Sequence, residues 1–142
     1  MKRAMTPAVP APPALPARLE NVRSVTIKRA YEPAVRSDGS RILVDRLWPR
    51  GLAKEKARID LWLRDIAPSD ALRKRFHAKP EEWHAFCAAY EAELKGDAAE
   101  AAMTELLARL RKGPVPLLYA ARDEHRNNAV ALKRWLERRK KS

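Results

Sequence analysis

Arg41–Leu52 constrains the fold most, and it reads Arg-Ile-Leu-Val-Asp-Arg-Leu-Trp-Pro-Arg-Gly-Leu. Ile42, Leu43 and Val44 form an unbroken apolar run. A half-exposed strand would alternate, so this run predicts a strand covered on both faces, as in a parallel sheet. Asp45, Arg46, Trp48, Pro49, Arg50 and Gly51 follow at once, placing charged, aromatic and turn-forming residues at the strand's carboxyl end. In open α/β sheets ligands bind at that edge, because loops leaving neighbouring strands diverge there and open a crevice. The stretch predicts where the protein works and leaves the reaction, if any, open.

The remaining elements follow from period and punctuation. Residues 1–23 carry five prolines among alanines and few large apolar groups, so they are expected to stay extended or disordered. Residues 24–137 are expected to form a single domain, with 138–142 as a basic tail. Residues 24–30 alternate like a strand, and residues 31–40 form a loop with a Ser-Asp-Gly turn. The eleven residues 31–41 are few for a parallel crossover, so the relative direction of the first two strands stays open. Residues 53–67 fit strand and helix periods equally.

Ser69 is placed to cap a short helix carrying Leu72 and Phe76. A second helix opens near Pro80 and carries Trp83, Phe86, Cys87, Tyr90 and Leu94 on one side. A third runs from about Ala98 to Lys112 and ends at Gly113-Pro114. Val115–Ala121 is another unbroken apolar run, hence another covered strand. Asp123 or an immediate neighbour should cap a terminal helix through Ala129, Leu132, Trp135 and Leu136. The predicted fold class is α/β: a small three-layer sandwich with a short, mostly parallel central sheet flanked by helices.

The formal charge of +12 is unevenly spread. Residues 1–23 carry +3, residues 133–142 carry +5, residues 41–58 carry +4 and residues 59–132 carry −1. The basic excess inside the domain therefore sits in and just after the opening stretch, which favours phosphate, carboxylate or nucleic-acid partners. No apolar run approaches the roughly 20 residues that span a bilayer, and residues 1–23 lack the apolar core of a secretory signal. No membrane partner is expected, and the expected location is cytoplasmic. A single cysteine, Cys87, excludes an intramolecular disulfide and a cysteine zinc site. Its place on an apolar helical face predicts a buried, inert thiol.

If the strands ending near Val44 and Tyr119 are adjacent and parallel, their loops share one crevice. One loop offers Asp45, Arg46, Trp48 and Arg50, and the other offers Tyr119, Arg122, Asp123, His125, Arg126, Asn127 and Asn128. Guanidinium groups bind planar oxyanions in two-pronged fashion, and a helix start near Asp123 would add free amides. The leading expectation is a small anionic ligand, such as a phosphorylated metabolite or nucleotide, held by Arg46, Trp48, Arg50, Tyr119 and Asn127. If the protein is an enzyme, Arg46 and Arg50 hold the anion, Asp45 or Asp123 is the base and Asn127 orients the substrate.

Two other accounts stand beside it. Asp45 paired with Arg46, Arg50 or Arg122 would simply tie the loops together. A non-specific nucleic-acid binder would use the basic patch and the tails. His125 lies in the right loop to shuttle a proton but has no partner in sequence, and His77 and His84 fit a solvated face. Gly-rich phosphate loops, metal-spaced histidine pairs and a Gly-x-Ser-x-Gly elbow are all absent, so no cofactor is expected.

The residues Ile27-Lys-Arg29, Tyr31, Gly39, Arg41–Leu52, Asp60, Trp62, Ala67-Pro-Ser69, Phe76, Trp83, Tyr90, Leu117–Ala121, Asp123 and Asn127 resemble the YeaO-like proteins. These form a branch of the domain of unknown function four-eight-eight, and the resemblance covers about residues 25–136. It implies a small α/β domain with strands before the Trp-Pro loop and before the Asp123 loop, and it implies no established activity. Two departures stand out: Arg75 where the family often has tryptophan, and His77-Ala-Lys-Pro80 where it has a Gly-His-Asp-Pro turn.

Overall fold

A computed structural model describes residues 25–141, so the expectation for the Pro/Ala-rich segment 1–23 lies outside the described residues. The strands are β1 (Val25–Arg29), β2 (Ile42–Leu43), β3 (Leu61–Trp62) and β4 (Val115–Tyr119). They form one sheet in the order β1-β4-β2-β3, and every pairing is parallel. The helices are α1 (Lys54–Ala57), α2 (Asp70–Ala78), α3 (Trp83–Leu94), α4 (Glu100–Lys112) and α5 (Asn128–Lys141). The protein is thus a small α/β domain built on a short parallel sheet.

The apolar runs are buried on both faces, as their lack of alternation requires. Ile42, Val44, Val115, Leu117 and Tyr119 pack into a core shared with α3, α4 and α5. Leu43 and Leu118 point the other way, where Ala30, Trp48, Leu52, Ile59 and Trp62 cover them. The helical layer is thick, while the opposite layer is an irregular segment holding only the single turn α1. At the α2–α3 contact Phe76 stacks on Phe86, with ring centroids 4.4 Å apart.

The ambiguous residues 53–67 divide among three elements. They contain α1, then β3, then a 3₁₀ turn at Arg64–Ile66, so neither period could hold across the whole window. Ser69 caps α2, its hydroxyl accepting from the Leu72 amide at 3.2 Å. The second helix begins at Trp83 rather than at Pro80, and the third at Glu100 after a 3₁₀ turn. The terminal helix is capped by Asn127, whose Oδ1 accepts from the Val130 amide at 2.9 Å. Asp123 instead accepts from the His125 and Arg126 amides and shapes the loop before the helix. Helix α5 continues to Lys141, so the basic residues 138–141 extend it.

The direction of the first two strands is resolved as parallel, because β4 lies between them and residues 30–41 return the chain across it. That return is held by buried charge. Asp38 pairs with Lys28 at 3.0 Å and with Arg41 at 2.8 Å. Arg41 is itself buried and donates to the carbonyls of Ala57 and Glu32. Burial pushes the Asp38 carboxyl up, but hydrogen bonds from Lys28, the Val35 amide and Arg41 outweigh it and hold the group below the usual carboxylate range.

Gly39 ends the turn at φ +80°, and a Cβ there would lie 2.2 Å from the Pro114 carbonyl oxygen. Gly51 is also at positive φ (+75°), but nothing lies within 4 Å of its missing Cβ. Gly39→Ala should therefore cost about 3 kcal/mol in urea unfolding, backbone strain and collision acting together. Gly51→Ala should cost only about 1 kcal/mol, the strain alone.

The Asp38 contribution has a definite pH sign. A depressed carboxyl stabilises the fold above its unfolded pKa of about 3.9, and that stability is lost as pH falls through the lower folded value. Asp38→Asn should be less stable than wild type at neutral pH, and the gap between the two unfolding midpoints should close below about pH 4.

Candidate functional site

The two loops named from sequence do meet. Strands β2 and β4 are paired, Val44 donates its amide to the Leu118 carbonyl at 3.1 Å, and the chain beyond each strand leaves from the same sheet edge. Asp45 fills the junction. Its Oδ2 accepts from the Ala120 amide at 2.9 Å and its Oδ1 from Asn128 Nδ2 at 3.0 Å. The same Asn128 amide group donates to the Val44 carbonyl. Asp45 thus binds the end of β2 to the end of β4 and to the first turn of α5. Burial raises its pKa above the usual carboxylate value, offset in part by Asn128, by the Ala120 amide and by the nearby Arg73 charge.

The other named residues diverge from this junction. Arg46 turns toward the helical layer, donating from Nε to the Pro68 carbonyl at 3.0 Å and from Nη2 to the Ala67 carbonyl at 3.3 Å. Trp48 is half-buried on the opposite face, donating to the Leu52 carbonyl at 2.7 Å and meeting Trp62 edge-on at 5.5 Å. Arg50 is exposed, and its carbonyl accepts from the Tyr31 hydroxyl at 2.8 Å. Tyr119 is only 3% exposed and belongs to the core beneath the helices, where burial raises its pKa. Asn127 is 2% exposed, donating to the Asp123 carbonyl while capping α5.

Asp123 is exposed, and its two amide donors lower its pKa. Its carboxylate takes the His125 and Arg126 amides, whereas Asp45 takes the Ala120 amide and Asn128. His125 is exposed beside it. Cys87 is partly buried against the core, and burial pushes its thiol up, which suits an inert group.

The hollow beside this edge lies to one side of the junction. A cavity of about 340 Å³ opens between Arg46, the Asp65–Ser69 stretch, the end of α3 and residues 96–99. Of the seven residues named from sequence, only Arg46 lines it. Ser69, Tyr90, Glu93 and Asp97 are among its other walls. Tyr90 is fully buried, with its hydroxyl on the Ile66 carbonyl at 2.6 Å. Glu93 accepts from both the amide and the hydroxyl of Ser69, at 2.8 and 2.6 Å.

Three contributors had no role at the site in the sequence reading. Asn128 stood among the loop residues without a role. Arg29 donates to the carbonyls of Ala120 and Ala121 and pins the second loop. Glu93 fixes Ser69 from 24 positions away, and nothing local in either residue's neighbourhood signals that contact. Among the described residues, no group of three or more histidines, cysteines or acids is placed to hold a metal ion, and no helix is long and apolar enough to cross a membrane.

Comparison with known proteins places the chain. It is 42% identical over 113 residues to the uncharacterized protein YeaO of Escherichia coli K12, covering 80% of this chain and 96% of the relative. It is 38% identical over 115 residues to the uncharacterized protein Rv3073c of Mycobacterium tuberculosis H37Rv, covering 81% of this chain and 95% of the relative. The uncharacterized protein Mb3100c of Mycobacterium bovis matches with the same identity and coverage. No solved structure matches. The family model described as the inactive DUF488-N3 subclade matches residues 24–142. With that model spanning the described domain and the YeaO relative aligned over nearly its whole length, the chain belongs to the inactive DUF488-N3 subclade of YeaO-like proteins.

Proposed function

We propose that this protein binds a small ligand bearing a carboxylate or phosphate group in the cavity beside the carboxyl end of β2, without turning it over. The carrying observation is Arg46. Two of its N–H groups are fixed on the Pro68 and Ala67 carbonyls, it lines a cavity of about 340 Å³, and no carboxylate pairs with it among the described residues. A guanidinium held by two neutral acceptors keeps its full charge and further donors for a carboxylate or phosphate. The cavity volume falls at the small end of the range for ligand sites, about 300–1,000 Å³.

The walls also narrow the ligand. Asp65 and Asp97 share the cavity with Arg46 and have no ion-pair partner among the described residues, whereas Glu93 is occupied by Ser69. A ligand carrying a positive group beside its anionic one answers both signs, so a small zwitterion such as an amino acid fits better than a bare anion. The absence of turnover in this reading rests on Asp45 and on the family's description as inactive. Both Asp45 oxygens already accept structural hydrogen bonds, and the group joins strands instead of facing Arg46's cavity. The nucleic-acid alternative draws on the tails for much of its charge, and residues 1–23 lie outside the described residues.

Calorimetric titration with β-alanine, propionate and propylamine tests the site. β-Alanine should bind most tightly, and Arg46→Lys should weaken it at least tenfold while the folded circular dichroism spectrum persists. Equal binding to wild type and Arg46→Lys, or no heat from any of the three probes, would sink the proposal.

Asp45 supplies a second check. Its raised pKa means that its own contribution to stability is greatest below the unfolded value of about 3.9 and declines as pH rises through the folded value. Asp45→Asn should remove that decline from the stability profile while lowering stability overall, because one of the two donors that meet Asp45 loses its acceptor.

A further inference from the structure

The irregular layer over the second face of the sheet carries charge that the fold does not use. Arg36, Arg50, Lys54, Lys56, Arg58 and Arg64 all lie on the segment that covers this face, and all six are exposed. None is in an ion pair among the described residues. The exposed acids along residues 31–65 are Glu32, Glu55, Asp60 and Asp65; Asp60 is engaged by the Arg41 amide at 2.8 Å, and Asp65 lines the Arg46 cavity. In the helical layer Arg73, Arg75, Arg109, Lys133 and Arg138 each pair with an acid, while Lys74, Lys79, Lys95, Arg111 and Lys112 are exposed and in no ion pair among the described residues, but these are scattered over separate elements and have no aromatic platform beside them. Cations held apart from acids keep a positive field that an extended polyanion can neutralise, releasing counterions as it binds.

The same layer holds an aromatic element. Trp62 reaches this face from β3, donates to the Asp45 carbonyl at 2.7 Å and meets the edge of Trp48. The guanidinium of Arg64 lies over the Trp62 ring, 4.1 Å from its centroid. The indole holds this planar cation at the surface, and a planar guanidinium is a platform on which an unstacked base can lie. Anionic lipid would answer the charge but has no use for such a platform, and an acidic peptide has none for a base-sized plane.

We infer that this layer is a binding surface for single-stranded nucleic acid, with Arg50, Lys54, Lys56 and Arg58 meeting phosphates and the Trp62-backed Arg64 stacking on a base. The surface is separate from the Arg46 cavity, which opens into the helical layer, and the two stand or fall independently.

Fluorescence anisotropy of a short labelled oligouridylate tests it on the full chain. The triple variant Lys54→Ala/Lys56→Ala/Arg58→Ala should bind at least tenfold more weakly, and the slope of log K against log salt should shrink by about two, roughly 0.7 per lost phosphate contact. Arg64→Lys keeps the charge and loses the plane, so it should weaken binding with no change in slope. Arg109→Ala on α4 should change neither quantity. Wild-type affinity in the triple variant overturns the inference. So does loss of binding on Lys140→Ala/Lys141→Ala alone, which would place the contact on the C-terminal end. Vesicles of anionic phospholipid that bind more tightly than the oligonucleotide overturn it as well, as does an absence of oligonucleotide binding at low salt.

Discussion

The fold depends on keeping the ends of β2 and β4 together. Strand β2 is two residues long and supplies few ladder hydrogen bonds, yet it sits inside the sheet with a neighbour on each side. Asp45 extends its pairing by side-chain chemistry. One carboxylate oxygen takes the Ala120 amide and the other takes Asn128, which also closes on the Val44 carbonyl. Hydrogen bonds to an ionised group contribute about 1.5–3 kcal/mol each, more than a neutral ladder bond. Losing the carboxylate would leave a buried amide and a buried side-chain amide without acceptors, so this one group decides whether three elements converge.

That arrangement explains why a strand-end aspartate need not be a catalyst. A general base must reach a substrate proton, and its lone pairs must be open to do so. Asp45 has a raised pKa, which by itself resembles an active-site signature, but the cause is burial and the neighbours are structural donors. The partner roles have been taken in the same way. Asn127 caps α5, Tyr119 fills the core and Trp48 packs over Leu43 and Leu118. The polar groups at this crevice are thus engaged in holding the fold.

Much of the fold was legible because a parallel sheet writes itself as apolar runs. Ile42–Val44 and Val115–Tyr119 could be read as doubly covered strands, and Ser69 as a cap, from local chemistry alone. Strand β3 was not, since its two residues lie between a single helical turn and a 3₁₀ turn, too short for any period to emerge. The direction of β1 could not be read because the insertion of β4 beside it is a long-range event. For the candidate site, sequence placed the two loops at one edge correctly but could not say which way each side chain turns. Arg46 and Trp48 are two positions apart and go to opposite faces, one bound to carbonyls of the 67–68 stretch and the other to Leu52. Asn127 could be read as polar and near the strand end, while its role as a cap required knowing that α5 starts at Asn128.

The ion pairs along the helices follow from the same architecture. A helix brings residues three and four apart onto one face, so acids and bases at that spacing meet without further design. Arg73 with Asp70, Arg109 with Glu105 and Lys133 with Glu137 are such pairs. The segment over the second face has one helical turn and otherwise irregular backbone, so Arg50, Lys54, Lys56 and Arg58 project without a matching register of acids. Its hydrophobic duty is small, limited to covering Leu43 and Leu118 with Trp48, Leu52, Ile59 and Trp62. A layer that needs few residues for packing and only the Asp38–Arg41 ion pair to hold it leaves the rest of its sequence free to face a partner. In this chain that remainder is cationic, with a planar guanidinium laid over an indole at its edge.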